Sequence, residues 1–174
     1  MAPSTSTNNP IHPLYAIIFT YIEPFLALGG VIQTLSFPFS YIAISHPTIH
    51  TALSPHPHLH PQLQTLFTCI AGGWSILTFN DIVTLRVFSR DPKVWRCVLA
   101  AHLCSDLLYV LALAQDVGYA HALDPRLWSR KEWFTNVLTL PFMWAKMAFL
   151  VGVGVDSDAR ERVVAKEQLR GKKA

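Results

Sequence analysis

The chain has 174 residues, of which 51% are hydrophobic and only 14% charged, with a formal net charge of +3. That length allows one domain, and the balance is too apolar for an ordinary soluble globule, which leaves a membrane protein. Charge is also segregated: from Met1 to Phe79 the only Asp, Glu, Lys or Arg is Glu23, whereas the segment after Val155 alternates acids and bases.

Residues 1–13, rich in Ser, Thr, Asn and Pro, predict a disordered tail. They carry no Lys or Arg ahead of an apolar core, so they do not form a signal peptide. About 20 helical residues cover roughly 30 Å of hydrocarbon, and four apolar stretches reach that length. They are predicted at Leu14 to Ser36, Leu63 to Leu85, Val94 to Ala114 and Phe134 to Val155. The run Phe37 to Ile44, bounded by Pro38 and Pro47, reads as an interfacial or re-entrant extension of the first span. The first loop comes next, with His46, His50, His56, His58 and His60 among Pro47, Pro55, Pro57 and Pro61. Metal capture there would need imidazoles in closed spacing on a rigid element, which the segment lacks. It reads as a solvated lumenal loop, and neither a metal site nor a cofactor is expected. A charged Asp91-Pro92-Lys93 turn separates spans two and three, and a Gly/Asp/Pro segment separates spans three and four. Residues 156–174 form a charged tail whose alternating signs suit a solvated helix near anionic lipid, not a nucleic-acid binder.

The expected fold is therefore an all-α, membrane-embedded four-helix bundle. Lys and Arg set its orientation. Arg86, Arg90, Lys93 and Arg96 border the second loop and six more basic residues lie beyond Val155, against Arg126, Arg130 and Lys131 on the opposite side, so both termini are expected in the cytoplasm. The ending Gly171-Lys172-Lys173-Ala174 is one residue out of register with a dilysine retrieval signal and points to the endoplasmic reticulum. Cys69, Cys97 and Cys104 fall in or near spans and read as small packing residues. The pairs Gly29-Gly30 and Gly72-Gly73 lie in apolar spans without the Lys and Ser/Thr of a phosphate loop, and read as helix packing sites.

The spans are interrupted by ionisable residues. Placing Asp, Lys or Arg at the bilayer centre costs roughly 2.5 to 3.5 kcal/mol on insertion scales, so such groups face a cavity or a partner. Glu23 lies near the middle of span one, His102 and Asp106 in span three, and Lys146 in span four, with Asn80 and Asp81 nearer the cytoplasmic mouth of span two. His102 and Asp106 are four residues apart and Tyr109 continues their stripe, giving span three one polar face. Thr20, Glu23, Ala27, Gly30 and Thr34 give span one a face of small and polar residues suited to close approach. Pro24 and Pro141 should release backbone carbonyls near that interior. Trp144 and Trp74 could stabilise a cation through their ring faces, whereas Trp95, Trp128 and Trp133 fit the interfacial belt.

The stretch Tyr21-Ile22-Glu23-Pro24-Phe25-Leu26-Ala27-Leu28-Gly29-Gly30, with Asp91-Pro92-Lys93-Val94-Trp95-Arg96 and Asp106, resembles a fungal family of small four-span proteins for which no activity is implied. The resemblance runs from about Leu14 to Val155. In size, span number and intramembrane carboxylates the chain is also similar, more distantly, to the EXPERA group of sterol delta8-delta7 isomerase and the sigma-2 receptor. That resemblance implies acidic residues that hold a cationic ligand or transfer protons on a sterol, parts that Glu23, Asp106 and Trp144 could play. Lys146 departs from the group.

Two functions remain open. One is a membrane isomerase or cyclase in a fungal biosynthetic pathway, acting by acid/base chemistry on a sterol, terpenoid or polyketide-derived substrate. Its catalytic residues would be Glu23, Asp106 and His102, and Asn80, Asp81, Tyr109, Trp144 and Lys146 would bind substrate. The other is a non-catalytic protein that binds lipid or a partner, homodimerisation included, with the polar residues serving assembly. A proton-coupled carrier is a third reading, for which four spans without repeats are few.

Overall fold

A computed structural model describes residues 10–55 and 61–155. Most of the tail expected at 1–13, the charged tail at 156–174, and His56, His58 and His60 lie outside the described residues. Within the described residues the regular structure is helical, apart from an isolated antiparallel bridge between Ile11 and Val155.

Helix α1 runs as an α-helix over Pro13–Ile17, a π turn over Ile18–Ile22 and an α-helix over Glu23–Ser36. The cause is Pro24, which has no N–H to offer the Thr20 carbonyl. The ladder widens there, with the Glu23 N–H bonding to the Ile18 carbonyl, and Arg86 donates to the released Thr20 carbonyl at 2.7 Å. Pro38 and Pro47 open two short helices, α2 (Pro38–Ser45) and α3 (Pro47–Leu53), because proline is pre-set for a first helical turn. At eight residues α2 spans about 12 Å, too short to cross a membrane.

Helix α4 is α-helical over Pro61–Phe79, passes through a second π turn at Asn80–Thr84 and finishes at Leu85–Val87. The two π turns pack against each other. Helix α5 covers Pro92–Val117. The Asp91 carboxylate caps it, accepting from the Lys93 and Val94 N–H groups at 3.0 and 3.5 Å, and Gly118, at φ 90°, ends it. A short α6 (Tyr119–Leu123) and a 3-10 turn lead to α7 (Arg130–Leu150), which starts with a capping box of Ser129 and Glu132.

Among the described residues three helices are long and apolar enough to cross a membrane: Pro13–Ser36, Leu63–Val87 and Pro92–Val117, of 24, 25 and 26 residues. The expected fourth, α7, has 21 residues and the necessary length of about 30 Å. It is less apolar because Asn136, Thr139, Pro141 and Lys146 interrupt it. Outward faces carry exposed Phe25 and Ile32 on α1, Ile76 and Phe79 on α4, and Leu107 and Leu108 on α5. Such a surface is costly in water and ordinary in lipid.

Two apolar clusters close the ends of the bundle. Ile11, Tyr15, Phe19, Leu85, Trp95, Leu99 and Phe149 form one, while Tyr41, Ile42 and Phe67, flanked by Leu63 and Trp74, form the other. Trp95 is therefore not an interfacial anchor. It is 1% exposed, packs on Phe149, and its indole N–H donates to the Leu85 carbonyl at 3.2 Å. At the same end the His12 N–H donates to the Gly154 carbonyl, so the start of α1 and the end of α7 lie side by side. Along the bundle α1 packs closely on α4, and Gly30 is needed for it, because a Cβ there would overlap the Trp74 ring. The polar residues lie between the two end clusters.

Candidate functional site: a buried polar cluster

Lys146 of α7 is 1% exposed, and its ammonium donates to Glu23 Oε1 of α1 at 2.5 Å and to Asp106 Oδ2 of α5 at 2.6 Å. A charged lysine buried without partners would cost several kcal/mol, and here two carboxylates from two other helices pair with it. Pro24 and the adjoining π turn fix where Glu23 enters this contact. The spacing that placed His102 and Asp106 on one face of α5 holds, since both turn into the cluster.

His102 meets a different partner. Its Nδ1 lies 3.3 Å from Asp81 Oδ1, and both side chains are 1% exposed. The angles are not those of a hydrogen bond, so both Asp81 oxygens and both His102 nitrogens lack a hydrogen-bond partner, as does Glu23 Oε2. Asp81, expected in span two nearer its cytoplasmic mouth, lies beside His102, with a ligand atom within 4.8 Å of one on Glu23. Asp81 sits within the π turn at Asn80–Thr84, which inserts extra backbone and rotates the turns beyond it. Asn80 stays local, accepting a bond from the Thr84 hydroxyl at 3.2 Å.

A cavity of about 490 Å³ opens beside the cluster, within the range of small-molecule sites. Glu23, Asp81, Asp106 and Tyr109 line it, and Trp74 forms an aromatic wall, edge-on to Tyr109 at 6.0 Å and to Tyr41 at 5.7 Å. Phe134, Leu26 and Leu138 line it too and are also exposed on the outer, apolar surface. His102 and Lys146 lie behind the lining, and Asn80 is likewise outside it. Trp144 is 66% exposed on the outer face of α7, away from the cavity. Sequence reasoning missed Tyr41, Gln33 and Ser105. Gln33, a polar residue in an apolar span, and Ser105, next to Asp106, could have been noticed. Tyr41 carried no signal because its role depends on α2 folding back over α4.

Fold and cluster together define an all-helical membrane protein with ionisable residues from four helices gathered in its interior. The chain belongs to the DUF7704 family, a domain of unknown function, which it matches over residues 8–156. No curated protein and no solved structure matches it.

Proposed function

We propose that the protein is a membrane-embedded isomerase or cyclase that moves a proton on a lipophilic substrate of sterol, terpenoid or polyketide type. The observation that carries this reading is the chain Glu23–Lys146–Asp106 beside an apolar cavity whose outer wall is exposed where lipid would lie. Glu23, carrying a proton, protonates one carbon of a substrate double bond, and Asp106 takes a proton from a neighbouring carbon of the resulting cation, with Lys146 joining the two carboxylates and handing a proton on to Glu23. Such a relay is redox-neutral and consumes no co-reactant, as double-bond migration and cyclisation require. Trp74 and Tyr109 present aromatic rings to a developing cation. His102 lies behind the wall and holds the cluster instead of touching substrate.

In this reading α7 is the fourth span and both termini are cytoplasmic, on the endoplasmic reticulum. The bridge between Ile11 and Val155 supports an even number of crossings, because it brings the two ends of the helical region to one side. The carboxylates within the bundle are the point of similarity to the EXPERA group.

The test is to delete the gene, restore it as wild type or Asp106→Asn, and profile lipid-soluble metabolites. The deletion and the variant should accumulate the same isomer or uncyclised precursor while the variant protein remains at wild-type abundance. An unchanged profile would count against catalysis. Loss of the folded variant would favour the structural reading, in which the polar residues only assemble the bundle.

A further inference from the structure

We propose that Glu23, Asp81 and His102 form a binding site for a first-row divalent transition ion, with Zn²⁺ the leading candidate. One ligand atom from each of these residues lies within 4.8 Å of the others, and the three residues come from α1, α4 and α5. The independent observation is the state of the side chains. Asp81 and His102 are 1% exposed and have no hydrogen-bond partner for any side-chain oxygen or ring nitrogen. Buried polar atoms are almost always satisfied, and an unsatisfied pair marks a missing partner. Lys146 occupies Glu23 Oε1 and leaves buried Oε2 free.

The geometry suits a cation better than a hydrogen bond. His102 Nδ1 and Asp81 Oδ1 are 3.3 Å apart without hydrogen-bond alignment. Two ligands on a tetrahedral ion, each at about 2.0–2.2 Å, would be separated by about 3.4 Å, with their lone pairs aimed at a shared point between them. Charge favours the same occupant. Glu23, Asp81 and Asp106 bring three negative charges when ionised and Lys146 returns one positive, so a divalent ion completes a neutral cluster. Neutrality is what a low-dielectric interior demands. One nitrogen and two carboxylate ligands fit Zn²⁺, Mn²⁺ or Fe²⁺ in preference to soft ions. Three protein ligands leave a coordination position open, and Asp81 and Glu23 line the cavity, so the open position faces it. The ion would also fasten α1, α4 and α5 together. This site goes beyond the catalytic proposal and stands without it.

The test uses the full-length protein in lipid nanodiscs, stripped with a chelator, reloaded with Zn²⁺ and desalted, then measured for metal by mass spectrometry. The wild type should retain about one equivalent, and Asp106→Asn should as well, whereas Asp81→Asn and His102→Ala should each retain less than a tenth. To cover a variant that fails to fold, wild-type protein reloaded with Co²⁺ supplies a second measurement. It should show the visible absorption of a four- or five-coordinate ion. Retention below a tenth of an equivalent of Zn²⁺, Mn²⁺ and Fe²⁺ by the wild type, or undiminished retention by a folded Asp81→Asn, would overturn the site. Protons or water would then complete the cluster. Metal content is read without any assay of turnover, so failure of the catalytic reading leaves this result unaffected.

Discussion

The two halves of the polar cluster are built differently. On the α7 side Lys146 donates to Glu23 and Asp106 at 2.5 and 2.6 Å, so a cation from the chain itself bridges the two carboxylates. On the α4 side Asp81 and His102, each 1% exposed, meet without bonding. Lys146 is as buried as Asp81 and His102, so burial alone does not decide whether a polar group is satisfied. The first half has its cation within the chain, whereas the second leaves both Asp81 oxygens and both His102 nitrogens without a hydrogen-bond partner.

Removing the cation from the α7 side should have the largest effect. Lys146→Met leaves two carboxylates facing each other in the interior and should lower stability by about 3–5 kcal/mol, read as thermal unfolding and yield of monodisperse protein. Combining it with Glu23→Gln and Asp106→Asn should restore most of that loss. Asp81→Asn, compared under metal-free conditions, should cost less than about 1 kcal/mol, because it removes no bond. Equal losses from the Lys146 and Asp81 changes would erase the contrast between the halves.

Asp106→Asn keeps Lys146 paired with Glu23 and should reduce turnover by about 10²–10⁴-fold at nearly unchanged stability, once a substrate is identified from the metabolite profile. A smaller effect is expected at the α1–α4 contact that brings the halves together. Gly30→Ala forces Trp74 aside and should cost about 1–3 kcal/mol by thermal unfolding, with narrowing of the cavity.

The smallest effect lies outside the apolar stretches, at Glu132 in the first turn of α7. Burial pushes its carboxyl up, but hydrogen bonds from Ser129 and the neighbouring His121 more than offset it, so the net shift is downward. A carboxyl held below its ordinary range contributes stability that is full at neutral pH and lost as pH falls through its folded value. The stability difference between wild type and Glu132→Gln should therefore be flat above about pH 5 and shrink below it. A difference that grew on acidification would contradict the capping box.

Much of this cluster was legible in the residues. Lone charges in apolar stretches marked Glu23, Asp106 and Lys146, because a bilayer tolerates such groups only in company. Helical spacing put His102 with Asp106, and Pro24 announced a freed carbonyl, which Arg86 takes up. That Asp81 meets His102 and Glu23 was not legible, because nothing in its neighbourhood betrays the π turn in which it sits. Trp95 looked like a belt residue because composition cannot separate an aromatic at the membrane surface from one sealed beneath Phe149.

By itself, then, the sequence determined that the chain is helical, that it belongs in a membrane, and which residues could not face lipid. Those properties stem from periodicity and transfer free energy, which are local. Tertiary structure alone decided that Lys146 serves two carboxylates, that Asp81 and His102 share an unbonded contact, and that Tyr41 and Trp74 wall the cavity. Each of these depends on how helices distant in sequence rotate against one another, and two π turns set part of that rotation without leaving a period to read.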